Sequence, residues 1–401
     1  MMVFNSIQLT NRRKLKYSLL LLYAYLMLYS LFANITWQIG TLTNSFIAGT
    51  FGIFIILSRY PNVSLQCRKI LVWAIIACFF CSATQNIIGK ISNLLDFFPF
   101  IAFLCLRDDE KKALFNGLEN ILFVIIAVSS FFWGFHLAGI ELVPGHYEFF
   151  NNYNFLNHYV YVEATHVYTS LPRFQAIFIE PGYTGSLMAL LLFIHDYNIK
   201  DIKCIVYFIA LIMTFSLAGY LLFILGFLWM RLFSRSMNRY LSIVIIVAAA
   251  FGLNYVANYN GGDNAVNTIV FSRLESEDGT INQNRTTDEF DKYFDGFITS
   301  STAIFGDQET YNAKYKDSNN VGVKIFIVMN GLVGLFLYII LLFLLLKHFG
   351  ISMVTLGMFL LFFVFFARGH LFAFSPFFLI VYYSGLSRIT SVNYEGAVHC
   401  S

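Results

Sequence analysis

The chain has 401 residues, of which 58% are hydrophobic and 12% charged, with 46 phenylalanines and a formal net charge of +3. An ordinary soluble domain carries about twice that share of charge, so the composition excludes one. Continuous apolar runs separated by short polar joints identify a polytopic helical membrane protein, whereas a membrane β-barrel would alternate over about ten residues.

Asn11-Arg12-Arg13-Lys14-Leu15-Lys16 precedes the first apolar run. By the positive-inside rule this start is cytoplasmic, and with no small-residue cleavage site after the run it reads as an anchor. Spans are then predicted over 17–33, 39–58, 70–89, 91–106, 114–136, 175–194, 203–216, 218–233, 240–257, 321–346, 350–367 and 371–387. Parity decides the least regular step. One long span over Ile205–Met230 would put Arg231, Arg235 and Arg239 outside, whereas two short spans turning near Ser216-Leu217-Ala218-Gly219 keep them inside. The short outer loops then hold only Lys90, Arg173 and Arg368 as bases.

The expected fold is all-α, a bundle of about twelve transmembrane helices with two large outer loops and both termini cytoplasmic. Helices one to five occupy 1–136, the first loop 137–172, helices six to nine 173–257, the second loop 258–320, helices ten to twelve 321–387, and a tail 388–401. Cys67, Cys78, Cys81, Cys105, Cys204 and Cys400 fall in spans or inside, so no outer disulfide framework is available. Cys78 and Cys81 read as small packing residues.

The first loop is rich in aromatic and amide side chains: Tyr147, Tyr153, Tyr159, Tyr161 and Tyr168 around Asn151-Asn152-Tyr153-Asn154. Such faces hold sugar rings, although tyrosine is also enriched at membrane interfaces. Its histidines, His146, His158 and His166, have no metal-ligand spacing. The second loop is a polar island with eleven acids and the bases Arg273, Arg285, Lys292, Lys314 and Lys316. Within it Thr287-Asp-Glu-Phe-Asp-Lys-Tyr-Phe294 predicts a short capped helix that turns Phe290, Tyr293 and Phe294 toward the bundle. Its acids read as a solvated face. Arg273 and Arg285 are the candidates for a phosphate group, which planar, permanently charged donors suit.

The sharpest local signal is Pro172-Arg173-Phe-Gln-Ala-Ile-Phe-Ile-Glu180-Pro181-Gly182-Tyr183. A span running inward to Ile194 sinks Glu180 below the membrane surface, where a carboxylate costs up to about 2.5–3.5 kcal/mol and is a functional candidate. Pro181 fits the first turn of a helix. Residues 173–179 then form a bent lead-in, tolerated at that depth if it lines a cavity. Were the lead-in helical, Arg173 and Glu180 would share a face, as a structural ion pair or as a site. Asp96, Arg368 and Glu119 follow with less support; Arg368 would join a phosphate cluster, and Glu119 belongs to the inner face.

Arg173…Phe178-Ile-Glu180-Pro181, Thr214-Phe-Ser216-Leu-Ala-Gly219, Phe305-Gly306 followed by Asn319-Asn320, and Gly331-Leu-Val-Gly334 together resemble the O-antigen polymerases of the Wzy type, within the wider group that includes the O-antigen ligases; the resemblance implies a bacterial inner membrane and makes the two large outer loops periplasmic. Two departures stand out. The family often carries Arg directly after the Ser of its turn, where this chain has Leu217 and Ala218. Ligases carry His just before the late Asn, where Asp317-Ser318 stands.

The resemblance implies glycosyl transfer between undecaprenyl-pyrophosphate-linked oligosaccharides at the periplasmic face. Arg173, Arg273, Arg285 and Arg368 would bind pyrophosphate and Tyr183 would border the substrate. Glu180 would act as the base, with His166 as the other candidate. It implies no cofactor and no metal, and no nucleic acid among the partners, which would be the lipid-linked substrate, membrane lipids and a chain-length-regulating co-polymerase. The alternatives are an O-antigen ligase and a lipid-linked oligosaccharide flippase.

Overall fold

The computed structural model describes residues 19–31, 33–60, 63–81, 87–150, 153–165, 172–233, 255, 258–262, 287–315, 322–368 and 375–398. The chain is mostly helical. Helix α1 covers residues 19–27, followed by 3-10 turns at Leu28–Leu31 and Asn34–Ile39. Then come α2 (Thr41–Arg59), α3 (Leu65–Cys81), α4 (Ile87–Cys105) and α5 (Asp108–Leu137). Strands β1 (His146–Phe150), β2 (Tyr153–Asn157) and β3 (Val162–Ala164) precede α6 (Pro181–Ile194), α7 (Ile202–Met213) and α8 (Leu217–Phe233). The remainder is α9 (Asp288–Ile298), α10 (Gln308–Lys314), α11 (Gly322–Phe349), α12 (Met353–Arg368) and α13 (Pro376–Val398).

Eleven of the twelve apolar runs overlap these helices; the ninth, over 240–257, lies almost wholly outside the described residues. Among the described residues two helices, α5 and α11, are long and apolar enough to cross a membrane. Helices α6, α7, α8 and α12 are apolar but shorter. The expectation of an all-α fold needs one correction. Part of the first loop is a three-stranded antiparallel sheet in the order β1-β2-β3, paired from His146↔Asn157 to Phe150↔Tyr153 and from Phe155↔Ala164 to Asn157↔Val162. Tyr147 and Phe149, next-but-one neighbours on one face of β1, are 78% and 66% exposed. The opposite face packs on Trp37, whose ring stacks on Phe150 with centroids 4.6 Å apart.

Helix α6 is the axis of the bundle. Apolar around its whole circumference, it buries every residue except Gly182. Gly185 and Gly219 let α6 and α8 touch backbone to backbone: a Cβ on Gly219 would lie 2.8 Å from the Gly185 carbonyl carbon. On another side α3 meets α11, where Cys81 Sγ fills the space over Gly334. That is the packing role expected of Cys81.

Helix α9 begins as its sequence predicts, with the Thr287 side chain accepting from the Phe290 backbone N–H. Phe290, Tyr293, Phe294 and Phe297 pack with Tyr311 and Tyr315 onto Ile325, Ile327 and Val328 of α11. Helix α11 is broken at Gly331, where φ is 72° and ψ 173°. The break gives the chain before α10 a seat. The Asp307 N–H donates to the Val328 carbonyl at 2.6 Å, and a Cβ on Gly331 would fall 2.3 Å from the Ile304 carbonyl oxygen. Gly306 faces the same seam, with a Cβ there 2.7 Å from the Met329 carbonyl oxygen. The two glycines singled out from the sequence therefore meet.

Candidate functional site

The lead-in to α6 is not a helix. Residues 172–180 run as turns and extended chain, with Ala176 at φ 51°, so the shared helical face proposed for Arg173 and Glu180 does not exist. The segment is fixed by main-chain bonds to three elements. Val162 of β3 donates to the Ala176 carbonyl at 2.8 Å, Asn34 donates to that of Ile177 at 2.8 Å, and Phe174 donates to that of Met213 at 3.1 Å. From α6 itself Thr184 Oγ1 donates to the Gln175 carbonyl at 2.8 Å.

Pro181 takes the first helical position and Glu180 the extended residue before it, at φ −146° and ψ 135°. Pro needs no acceptor there, and the helix macrodipole favours an anionic side chain. Glu180 is half-buried, and its carboxylate folds back toward Gly182, where a Cβ would lie 3.1 Å from Glu180 Oε1. Tyr183 is buried and lines a small apolar cleft with Leu31, Phe178, Leu187 and Phe378. The cleft is apolar, so Tyr183 does not present a face to solvent for a sugar ring.

The chain breaks between α7 and α8 at Thr214-Phe215-Ser216, at the start of the expected Ser216–Gly219 turn. Ser216 caps α8, accepting the Gly219 N–H on its Oγ at 3.2 Å, while Phe215 takes φ 45°. Arg173 is fastened to this turn. Its Nε donates to the Thr214 carbonyl and its Nη2 to the Phe215 carbonyl, both at 3.1 Å. These are carbonyls at the C-terminal end of α7, where a cation is favoured. The guanidinium thus reaches the turn from 41 residues away in the sequence.

The first-loop aromatics divide into two sets. Tyr161 and His158 are buried and stack on each other with centroids 4.3 Å apart. Trp133 meets the Tyr161 ring edge-on at 5.4 Å. His158 Nδ1 donates to the Val143 carbonyl at 2.7 Å. Burial, then the nearby Glu141 and Glu163 carboxylates, push the Tyr161 phenol up to about 12. This set is core and cannot contact a sugar. Tyr147, Tyr153 and Tyr159 remain exposed.

Of the other candidates, His166, Arg273 and Arg285 lie outside the described residues, as does the Asn319-Asn320 pair. Arg368 is the last residue of α12, and its side chain is likewise outside them. The structure thus brings Arg173, Glu180, Tyr183 and the Ser216 turn to one end of α6.

At the opposite end of α6 lies a charged cluster that the sequence reading missed, apart from placing Glu119 at the inner face. His195 follows the last helical residue and is buried. Its Nε2 faces Glu119 Oε1 of α5 in a short hydrogen bond, and its Nδ1 faces Asp201 Oδ2 at 2.9 Å. Lys203 Nζ lies 3.2 Å and Arg388 Nη1 3.6 Å from Glu119 Oε2. Asp201 also caps α7, accepting the Lys203 N–H on Oδ1 at 3.0 Å. Burial pulls the Asp201 carboxyl up, but the Lys203 N–H and the His195 ring outweigh it and hold the group below its usual range. The only local sequence signal was a His directly after an apolar helix, with Asp six residues on.

No family model, curated protein or solved structure matches the chain.

Proposed function

We propose that this protein is a twelve-span membrane glycosyltransferase that polymerises undecaprenyl-pyrophosphate-linked O-antigen repeat units at the periplasmic face of a bacterial inner membrane. The carrying observation is the Arg173 guanidinium, fastened to the Thr214–Ser216 turn at the end of the bundle where Glu180 heads α6. A pyrophosphate leaving group needs a fixed cation, and an acceptor hydroxyl needs a carboxylate base. Both kinds of group stand at this one end.

Helix lengths support a recessed site. Counted from the Glu119–His195 contact, α6 reaches Glu180 after about 22 Å and α5 reaches Leu137 after about 27 Å, at about 1.5 Å per residue. Roughly 5 Å of recess follows, and non-helical backbone such as residues 172–180 is tolerated at membrane depth where it lines a cavity. In the reaction an acceptor sugar hydroxyl attacks the anomeric carbon of the growing chain. The bond from that carbon to the pyrophosphate oxygen breaks, Glu180 takes the hydroxyl proton, and lipid pyrophosphate leaves beside Arg173. Arg273, Arg285 and Arg368 complete the phosphate clamp, and His166 is the second candidate base. The exposed Tyr147, Tyr153 and Tyr159 serve the sugar chain.

One observation favours a second reading: a helix broken at mid-course, as α11 is at Gly331, also occurs in transporters that carry substrate across the membrane. Deleting the gene and separating lipopolysaccharide by size distinguishes the readings. Lipid A core capped with a single repeat is the expected pattern. Bare core with accumulated lipid-linked polymer would instead make the protein a ligase, and bare core with single lipid-linked units trapped inside would make it a flippase.

A further inference from the structure

The cluster at the His195 end of α6 holds three side chains of metal-ligating type whose ligand atoms converge. His195, Asp201 and Cys204 each place one such atom within 4.8 Å of the others. We propose that these three residues form a zinc site, built from the end of α6 and the first turn of α7. Nitrogen, oxygen and sulfur donors together suit a borderline cation such as zinc, which accepts three protein ligands and a water.

Each ligand is already oriented. Histidines that bind metal commonly donate their second ring nitrogen to a carboxylate, and His195 Nε2 faces Glu119. Asp201 Oδ1 is taken by the Lys203 N–H, which leaves Oδ2 facing His195 Nδ1 at 2.9 Å. Cys204 is a buried free thiol one helical turn beyond Asp201. A zinc ion would replace the proton between His195 Nδ1 and Asp201, with zinc–ligand distances of about 2.0–2.3 Å.

A second observation points into the same place. The Tyr207 hydroxyl is fully buried and has no hydrogen-bond partner, and its electrostatic neighbours are Glu119, Asp201 and Cys204. Arg388 is its fourth charged neighbour. A buried hydroxyl left without a partner calls for a water or an ion nearby, and a water in the fourth zinc position would supply one.

The opposing charges are Lys203 and Arg388. They do not exclude the ion, because the Glu119 and Asp201 carboxylates already lie against them and the thiolate that zinc requires of Cys204 adds a third negative charge. Arg388 lies against the ring, with Nη1 3.3 Å from Nε2 and Nη2 3.4 Å from Nδ1, and its side chain is 39% exposed. It turns outward when the ion enters.

The test uses the purified full-length chain in detergent, stripped of metal and titrated with zinc against a chromophoric chelator, and separately with cobalt as a spectroscopic probe. One zinc per chain is expected, with a thiolate-to-cobalt charge-transfer band. Cys204→Ser should lose the band and bind zinc at least about 10-fold more weakly, while Arg388→Ala should bind several-fold more tightly. Zinc should also raise the unfolding temperature of the unaltered chain but not that of Cys204→Ser, which separates a lost ligand from a lost fold. The absence of stoichiometric zinc binding, a cobalt band that survives Cys204→Ser, or weaker binding in Arg388→Ala would each overturn the site.

Discussion

At one end α6 delivers His195 into a cluster where carboxylates and cations meet side chain to side chain, with Glu119 reached by His195, Lys203 and Arg388 together. At the other end the bonds that hold Arg173 run to two main-chain carbonyls. The first arrangement neutralises charge. The second orients a guanidinium through main-chain dipoles at the end of α7. A single apolar helix of 14 residues therefore separates a cluster of paired charges from a guanidinium fastened to main chain.

Substitutions at the two ends should separate function from stability. The largest effect is expected at Glu180. Replacing it with Gln should lower chain polymerisation by about 10²–10⁴-fold, the usual worth of a general base, while stability moves by no more than about 0.5 kcal/mol. A lipopolysaccharide ladder of normal length in that variant would remove the base from Glu180. Glu119→Ala should do the reverse and destabilise the fold by about 1–3 kcal/mol, because it removes the buried carboxylate that the His195 ring and Lys203 face. Thermal unfolding of the detergent-solubilised chain measures that, and an unaltered midpoint would show that the cluster holds nothing together.

Between the two ends, Gly219→Ala should cost about 1–3 kcal/mol, since its Cβ would meet the Gly185 backbone at 2.8 Å. It should also shift the Ser216 turn that carries Arg173, so polymerisation should fall along with stability. A loss of stability alone would uncouple that turn from the reaction. The smallest effect lies in the outer helix α9. Burial, then the Asp307 carboxylate, raise the Tyr293 phenol to about 12. Its folded-state value thus exceeds the unfolded value of about 10, so the stability it contributes is intact below pH ~10 and lost as pH rises toward 12. Tyrosinate absorbance should show alkaline loosening that Tyr293→Phe weakens; identical curves would exclude this linkage.

Much of the helical frame was legible because apolar runs report burial directly. The run 39–58 became Thr41–Arg59, and Thr287 capped α9 through the side chain its position announced. Glu180-Pro181 was legible for the same local reason, since Pro at a first helical turn marks where the helix starts. What failed was non-local or lacked a period. Arg173 and Thr214 are joined across 41 residues, Glu119 and His195 across 76, and no spacing rule pairs them. The sheet was not legible, because the two-residue joint between its first strands is Asn151-Asn152 and lacks the glycine that marks a tight hairpin. Gly331 was noticed, but a glycine within an apolar run does not say whether the helix passes through it or stops.

The seam at Gly331 has a consequence for variation. It is made from main chain on both sides: the Asp307 N–H on the Val328 carbonyl, and glycine faces too close to admit a Cβ. A clasp of that kind does not depend on which side chains the chain before α10 displays. Its exposed residues can be exchanged freely over evolutionary time while the attachment to α11 stays in register. New surface chemistry could be written there without redesigning the helices beneath it.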